Sequence, residues 1–127
     1  MRKPSIKSAK TRAWRAISKF IRKRDKKCVT CKTAPATQAG HYKHNSDKPN
    51  KQLGGNMLWY DPRNLAGQCT RCNCYNSGEL DKYAIYLEEK YGHGILQELQ
   101  MSYNKPYKWT IDEIIGVAIH YEELIEK

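Results

Sequence analysis

Near the start of the chain, Ala13, Trp14, Ile17, Phe20 and Ile21 recur on one helical stripe, and Arg12, Arg15, Lys19, Arg22, Lys23 and Lys26 fill the rest of the wheel. A stripe repeating at three and four residues predicts a helix from about Ser8 or Thr11 to Lys27, apolar face docked and basic face in solvent. The period then changes. Residues 37–44, Thr-Gln-Ala-Gly-His-Tyr-Lys-His, read as a short strand and its turn. Residues 45–56 are rich in Asn, Asp, Lys, Pro and Gly and read as a loop. Met57 to Tyr60 reads as a second short strand, ended by Asp61-Pro62, and two strands around a loop predict a hairpin. Helical spacing returns after Cys72 and is reset near Ser77-Gly78. Leu80, Tyr83, Ala84, Leu87 and Tyr91 carry it to a stop at Gly92. A short amphipathic turn from Ile95 to Met101 follows and is broken by Pro106. Thr110-Ile-Asp-Glu113 is a capping-box pattern that opens a last helix, with Ile111, Ile114, Ile115, Ala118, Ile119 and Ile125 on one side.

A length of 127 residues allows one domain, in which an added metal or cross-link would matter to stability. With 39% hydrophobic and 28% charged residues the composition is that of a folded chain rather than a disordered one. No apolar run is long enough for a membrane helix, and no apolar stretch follows the basic N-terminus as a secretory signal requires. The expected place is therefore the cytoplasm, without a membrane partner.

Charge changes the picture more than composition does. The net charge is +10, yet residues 1–27 alone hold 12 Lys or Arg against one acid, Asp25. Residues 79–127 hold ten acids against five bases. A dense one-signed block points to a polyanion, and nucleic acid is the expected partner. The acidic C-terminal helices read as scaffold or subunit contact, because their charge would repel DNA.

The cysteines supply the chemistry. Cys28-Val-Thr-Cys31 and Cys69-Thr-Arg-Cys72 are two Cys-x2-Cys knuckles separated by 37 residues. Each can offer two thiolates to one ion, and together they complete a tetrahedral structural zinc site. Disulfides are disfavoured in a reducing cytosol and do not explain a doubled knuckle. Cys74 is left over, and reads as an ordinary part-buried cysteine. On this frame His41 lies on the first strand, Asn64 precedes the second knuckle, and Asn73 directly follows its last cysteine. With hairpin and helix flanking one zinc, the three are expected to converge. Trp14, Trp59 and Trp109 read as core.

The ordered set Ser18-Lys-Phe-Ile-Arg-Lys-Arg-Asp25, Cys28-Val-Thr-Cys31, Ala39-Gly-His-Tyr42, Arg63-Asn64, Gln68-Cys69, Cys72-Asn73, Ser77-Gly78 and Tyr91-Gly92 resembles the HNH nucleases of the ββα-metal fold. The chain is most similar to the NinG (Rap) recombination protein family of lambda-like phages, over roughly residues 13–125. That resemblance implies a metal-dependent endonuclease acting on branched DNA such as Holliday junctions. It implies His41 as the general base, Asn64 as the residue that fixes the loop and orients the histidine, and Asn73 as a ligand of a catalytic Mg²⁺ or Mn²⁺. Many relatives carry Asp just before the histidine, where this chain has Gly40. The second ligand then falls to His44, Asp47 or His41 itself, and a second register makes His41 the ligand and His44 the base.

The expected fold is α+β: a small ββα-metal (HNH, treble-clef-like) zinc core over residues 28–92, a basic arm and helix over 1–27, and a helical extension over 93–127, in a single domain overall. Expected DNA contacts are Arg12, Arg15, Lys19, Arg22, Lys23 and Lys26 on the basic helix, with Lys43, Arg63 and Arg71. A homodimer matches the two-fold symmetry of a junction. The rival readings are a non-catalytic zinc-knuckle DNA-binding module and a general HNH enzyme that nicks duplex DNA.

Overall fold

A computed structural model describes residues 4–44, 56–105 and 107–126. Among these residues four α-helices surround a two-stranded antiparallel sheet: α1 (Ile6–Asp25), β1 (Gln38–His41), β2 (Leu65–Gln68), α2 (Leu80–Tyr91), α3 (Ile95–Tyr103) and α4 (Ile111–Glu126). The architecture is a mixed α+β fold. No helix among the described residues is long and apolar enough to cross a membrane.

Helix α1 begins earlier than its apolar stripe suggests. Ser5 accepts from the Ser8 amide at 3.1 Å and so supplies the cap. The helix ends at Asp25 rather than Lys27, because Lys26 turns into positive φ (62°) while its amide still reaches the Arg22 carbonyl. Its buried side includes Ala9 and Ala16 beside the expected Ala13, Ile17 and Ile21. These small residues let α4 pack along α1, where Ile114, Ala118 and Tyr121 join the same core. The predicted capping box forms: the Glu113 amide donates to Thr110 Oγ1 at 3.2 Å, and the Thr110 amide to Glu113 Oε1 at 3.0 Å. Ile119, expected on the buried side of α4, is exposed instead, and Tyr121 takes its place.

The hairpin exists, but its second strand is not Met57–Tyr60. That segment turns: the Asp61 amide reaches the Leu58 carbonyl, and the Asn64 amide the Asp61 carbonyl, closing the single 3₁₀ turn Pro62–Asn64. Leu58 and Tyr60 are buried by side-chain packing alone. The strand is Leu65–Gln68, paired Gln38↔Gln68, Ala39↔Gly67, Gly40↔Ala66 and His41↔Leu65. Asp61-Pro62 does not end a strand; it starts the turn that feeds one, with Asp61 capping it through the Arg63 amide at 2.9 Å.

Side chains alternate along a strand, and the hairpin uses this to join two cores. Ala39 and Leu65 face the core of α1 and α4. Ala66 belongs to the core of Val29, Leu58, Tyr83, Leu87, Ile95 and Leu99, built on α2 and α3. Every residue of β2 is buried. At Gly67 a Cβ would stand 2.7 Å from the Ala36 Cβ and 3.1 Å from the Asp25 Cβ, so only glycine fits. Its amide donates to Asp25 Oδ2 at 2.7 Å. Arg24 pairs with both Asp25 oxygens and also donates to the carbonyls of Pro62 and Leu65. The end of α1 is thus tied to β2 by a mostly buried charged pair.

Asp25→Ala leaves a mostly buried guanidinium without its counter-charge and the Gly67 amide without its acceptor. A loss of about 3 kcal/mol is expected in denaturant unfolding of the metal-loaded protein. A loss under about 1 kcal/mol would mean that the pair behaves as a surface ion pair.

Candidate functional site

The first knuckle follows α1 directly. Its turn is closed by the Lys32 amide on the Cys28 carbonyl, with Lys32 at φ 63°, and it lies against β2 through the Val29 amide on the Gly67 carbonyl. The second knuckle leaves β2 and enters a π-helical turn, Arg71–Tyr75. The Sγ atoms of Cys28, Cys31, Cys69 and Cys72 all lie within 4.8 Å of one another, with Cys31 and Cys69 at 3.9 Å. Thiolates at the corners of a zinc tetrahedron with Zn–S near 2.3 Å are about 3.8 Å apart. The four cysteines therefore form a cluster fit to hold a metal ion such as zinc. The local fields are uneven. The Thr33 hydroxyl and the amides of Ala34 and Thr33 lower Cys31 to about 5, whereas burial pushes Cys72 up to about 12. A cation has to displace protons from this cluster to be held by four thiolates. Cys74 stands outside the cluster and is exposed rather than part-buried, its Sγ 3.3 Å from Gln38 Oε1.

His41 closes β1 and points to the α1 side. Its ring stacks on Trp59 at 3.7 Å and on Trp14 at 5.0 Å between centroids, and it is 6% exposed. Nε2 lies 2.9 Å from the Trp59 carbonyl oxygen. A carbonyl can only accept, so Nε2 carries the hydrogen and the lone pair of the neutral ring sits on Nδ1. Burial lowers His41 to about 4 against the pull of the Trp59 carbonyl, and His44 adds to the lowering. His44 is exposed, its ring 6.1 Å from that of His41. Asp47 lies outside the described residues.

Asn64 is fully buried and clasps the chain just beyond His41. Its Oδ1 accepts from the Lys43 amide at 2.8 Å, and its Nδ2 donates to the Lys43 carbonyl at 3.0 Å and the Leu58 carbonyl at 3.3 Å. The Tyr42 amide donates to the Asn64 carbonyl at 2.9 Å. One amide side chain thus ties Lys43 to Leu58.

Asn73 occupies the opposite face of the hairpin. Its Nδ2 donates to Gln38 Oε1 at 2.8 Å, and its Oδ1 lies 2.7 Å from where a Cβ on Gly40 would stand. Gly40 and His41 are neighbours on one strand, so their side-chain directions oppose. The structure ties Asn64 to the chain two residues beyond His41 and sets Asn73 against Gly40. It does not gather all three on one face, as expected from the zinc frame alone. The cause is the register, which places Gln38, Gly40 and Gln68 together toward the second knuckle. Trp14 and Trp59, expected as core, pack against it partly buried and also sandwich His41, and Gln68 carries no expected role of its own. Gln68 is marked in the sequence only by its place directly before Cys69.

The basic residues divide in two. Arg12 makes a bidentate pair with Glu122, Arg63 pairs with Asp61 and Glu98, and Lys43 donates to Gln100 Oε1 at 2.6 Å over the Tyr103 ring. The Arg22 Nε donates to the Ser18 carbonyl, and the Lys23 Nζ to the Ile125 carbonyl at 3.5 Å. Arg15, Lys19, Lys26 and Arg71 are exposed and carry no such bond among the described residues. The acidic α4 therefore engages part of the basic helix, and Arg12 in particular.

Paired knuckles, a short hairpin between two cores, and a helix leaving the second knuckle define a class: a small α+β protein organised by a four-cysteine centre. Within that class the chain belongs to the NinG family, since the family model described as "Bacteriophage Lambda NinG protein" matches residues 1–127. It is similar to "Protein ninG" of Salmonella phage P22, with 32% identity over 118 residues, 90% of this chain and 54% of that protein. "Protein ninG" of Escherichia phage lambda is 30% identical over 118 residues, again covering 90% of this chain and 54% of the relative. The chain thus spans about half the length of the curated relatives it matches. No solved structure matches.

Elemental analysis of the folded protein should find one zinc per chain. Its removal by a chelator should abolish the cooperative thermal transition, since zinc in small sites contributes about 10 kcal/mol or more of folding energy. A sharp transition surviving in metal-free protein would show that the two cores hold the fold alone.

Proposed function

We propose that the chain is a metal-dependent endonuclease of the HNH, ββα-metal type that cuts branched DNA in phage recombination, with a structural zinc in the four-cysteine cluster. The observation that carries this reading is His41. It is a neutral imidazole with its Nε2–H committed to a backbone carbonyl and a lone pair left on Nδ1, one residue from the backbone that faces Asn73. Phosphodiester hydrolysis needs a group to take a proton from water and a positive charge near the phosphate.

In this reading His41 Nδ1 takes the proton. The Trp59 carbonyl fixes the tautomer and carries part of the charge that develops on the ring. Asn64 holds the chain from residue 42 to 43, so that the imidazole keeps its direction. Asn73 Oδ1 is a hard neutral ligand for Mg²⁺ or Mn²⁺, and such an ion, when bound, supplies the charge that stabilises the phosphate and leaving oxygen. Because His41 and Asn73 lie on opposite faces of β1, a phosphate serving both sits at the edge of the strand. Arg15, Lys19, Lys26 and Arg71 are left to meet neighbouring phosphates. The dimer is proposed from junction symmetry alone.

A second reading is favoured by the same side chain. At 6% exposed between two indoles, His41 can be pure packing, and the protein is then a zinc-knuckle DNA-binding module. The zinc-loaded protein should cut a synthetic four-way junction with Mg²⁺ or Mn²⁺, and His41→Ala should cut about 100-fold more slowly or less. No cutting by the wild type with any divalent ion would select the binding module. Equal cutting of linear duplex would select a general nicking enzyme.

The pH profile follows from the burial of His41. Its base form is lost only as pH falls through about 4. At limiting DNA the rate should show no acid limb from this group between about pH 5.5 and 8. A limb centred near 6.5 would mean that the imidazole is solvated in the working enzyme.

Neutralising Arg15 and Lys19 should weaken junction binding and reduce the slope of log affinity on log salt by about one for each lost phosphate contact. An unchanged slope would remove α1 from the DNA interface.

A further inference from the structure

The face of the hairpin that turns away from His41 holds one unspent atom. Gln68 is fully buried, and its Oε1 is the one buried side-chain nitrogen or oxygen without a hydrogen bond among the described residues. The other end of the amide fixes its orientation. Nε2 donates to the Gly78 carbonyl at 2.8 Å and meets Thr30 Oγ1 at 3.3 Å. Turning the amide over would set carbonyl oxygen against carbonyl oxygen. Asn73 Nδ2 donates to Gln38 Oε1 at 2.8 Å, which leaves its Oδ1 toward Gly40.

The two remaining amide oxygens converge. A Cβ on Gly40 would stand 2.0 Å from Gln68 Oε1 and 2.7 Å from Asn73 Oδ1. Gln68 Oε1 accepts no hydrogen bond among the described residues. Leaving a buried acceptor unmet is costly, and an amide oxygen of this kind is a hard ligand suited to Mg²⁺ or Mn²⁺. Glycine at position 40 leaves room for the Gln68 oxygen. A carboxylate at that position, as in many HNH relatives, would fall on the Gln68 oxygen.

We propose that Gln68 Oε1, together with Asn73 Oδ1, forms the protein half of a divalent-cation site beside Gly40. The inference rests on the endonuclease reading for the purpose of the ion, but not for its binding. It fills the second-ligand place left open between His44, Asp47 and His41. Both ligands are neutral and the chain carries +10, so the protein alone binds the ion weakly. The phosphate oxygens of DNA complete the shell, which matches the habit of Mg²⁺ to combine few protein ligands with phosphates and water. Selectivity for a hard cation over zinc follows, because neither ligand is a thiolate or an imidazole.

The test is an Mn²⁺ titration of the zinc-loaded protein on a phosphorothioate junction that cannot be cut, with free Mn²⁺ counted by electron paramagnetic resonance. One Mn²⁺ per chain is expected. Gln68→Met, close in shape but without the oxygen, should weaken binding by about tenfold or more, and Gln68→Glu and Asn73→Asp should each tighten it by about tenfold. Zinc content and the thermal transition are read on each variant. If Gln68→Met does not fold, the two acidic variants carry the test. Mn²⁺ affinity unchanged in both Gln68 variants would overturn the proposal. So would an Mn²⁺-soaked crystal in which the Asn73 amide donates to Gln68 Oε1 with no ion beside it. If wild type cuts while the Gln68 variants bind Mn²⁺ as it does, this ligand falls and the endonuclease stands. Mn²⁺ binding that depends on Gln68 without any cutting gives the reverse.

Discussion

Four sulfur atoms within 4.8 Å of one another are the constraint from which the rest of the molecule follows. A hairpin of two four-residue strands is too short to persist in water unaided. Here one knuckle continues from the end of α1 and the other from the end of β2, so a single ion would fasten helix, strand and the turn that carries Asn73. The Arg24–Asp25 pair repeats the same fastening a few residues away, through Gly67 and the carbonyls of Pro62 and Leu65. The hairpin then serves as the wall between two small cores rather than as a sheet with a core of its own.

Much of this was legible in the residues. The two knuckles announced the cluster by spacing alone, the α1 stripe announced a docked helix, and Thr110 to Glu113 announced the start of α4. The displaced second strand was not legible, and the reason is physical. Met57–Tyr60 is apolar and aromatic as strands are, whereas Leu65-Ala-Gly-Gln68 offers few strand-forming side chains. Tertiary context chose the latter, because only small residues pass between Asp25 and Ala36, and Gly67 has no room for a Cβ. Likewise, the charge pattern of α1 gave no hint that Glu122 would take Arg12, since that pairing joins residues far apart in the chain.

The residues chosen as candidates came from their order along the chain, and that order does not carry their arrangement. His41, Asn64 and Asn73 stand where their order along the chain requires, but the two-residue period of β1 divides them between its faces. The aromatic sandwich around His41 could not be foreseen from Trp14 and Trp59, which lie on a helix and in a turn. Gln68 offered still less, being one polar residue before a cysteine. What reveals it is an accounting of acceptors inside the fold, a kind of information that no linear pattern contains.

The crowding at Gly40 has a meaning for how such chains can diverge. Residues 40 and 68 draw on one small volume, so neither can be exchanged freely on its own. A descendant that acquired an acidic residue at 40 would first have to shorten the side chain at 68, and until then the acid would damage the hairpin. The two positions should therefore be inherited as alternatives, one bulky and one bare. The order in which they change sets which routes of divergence remain passable.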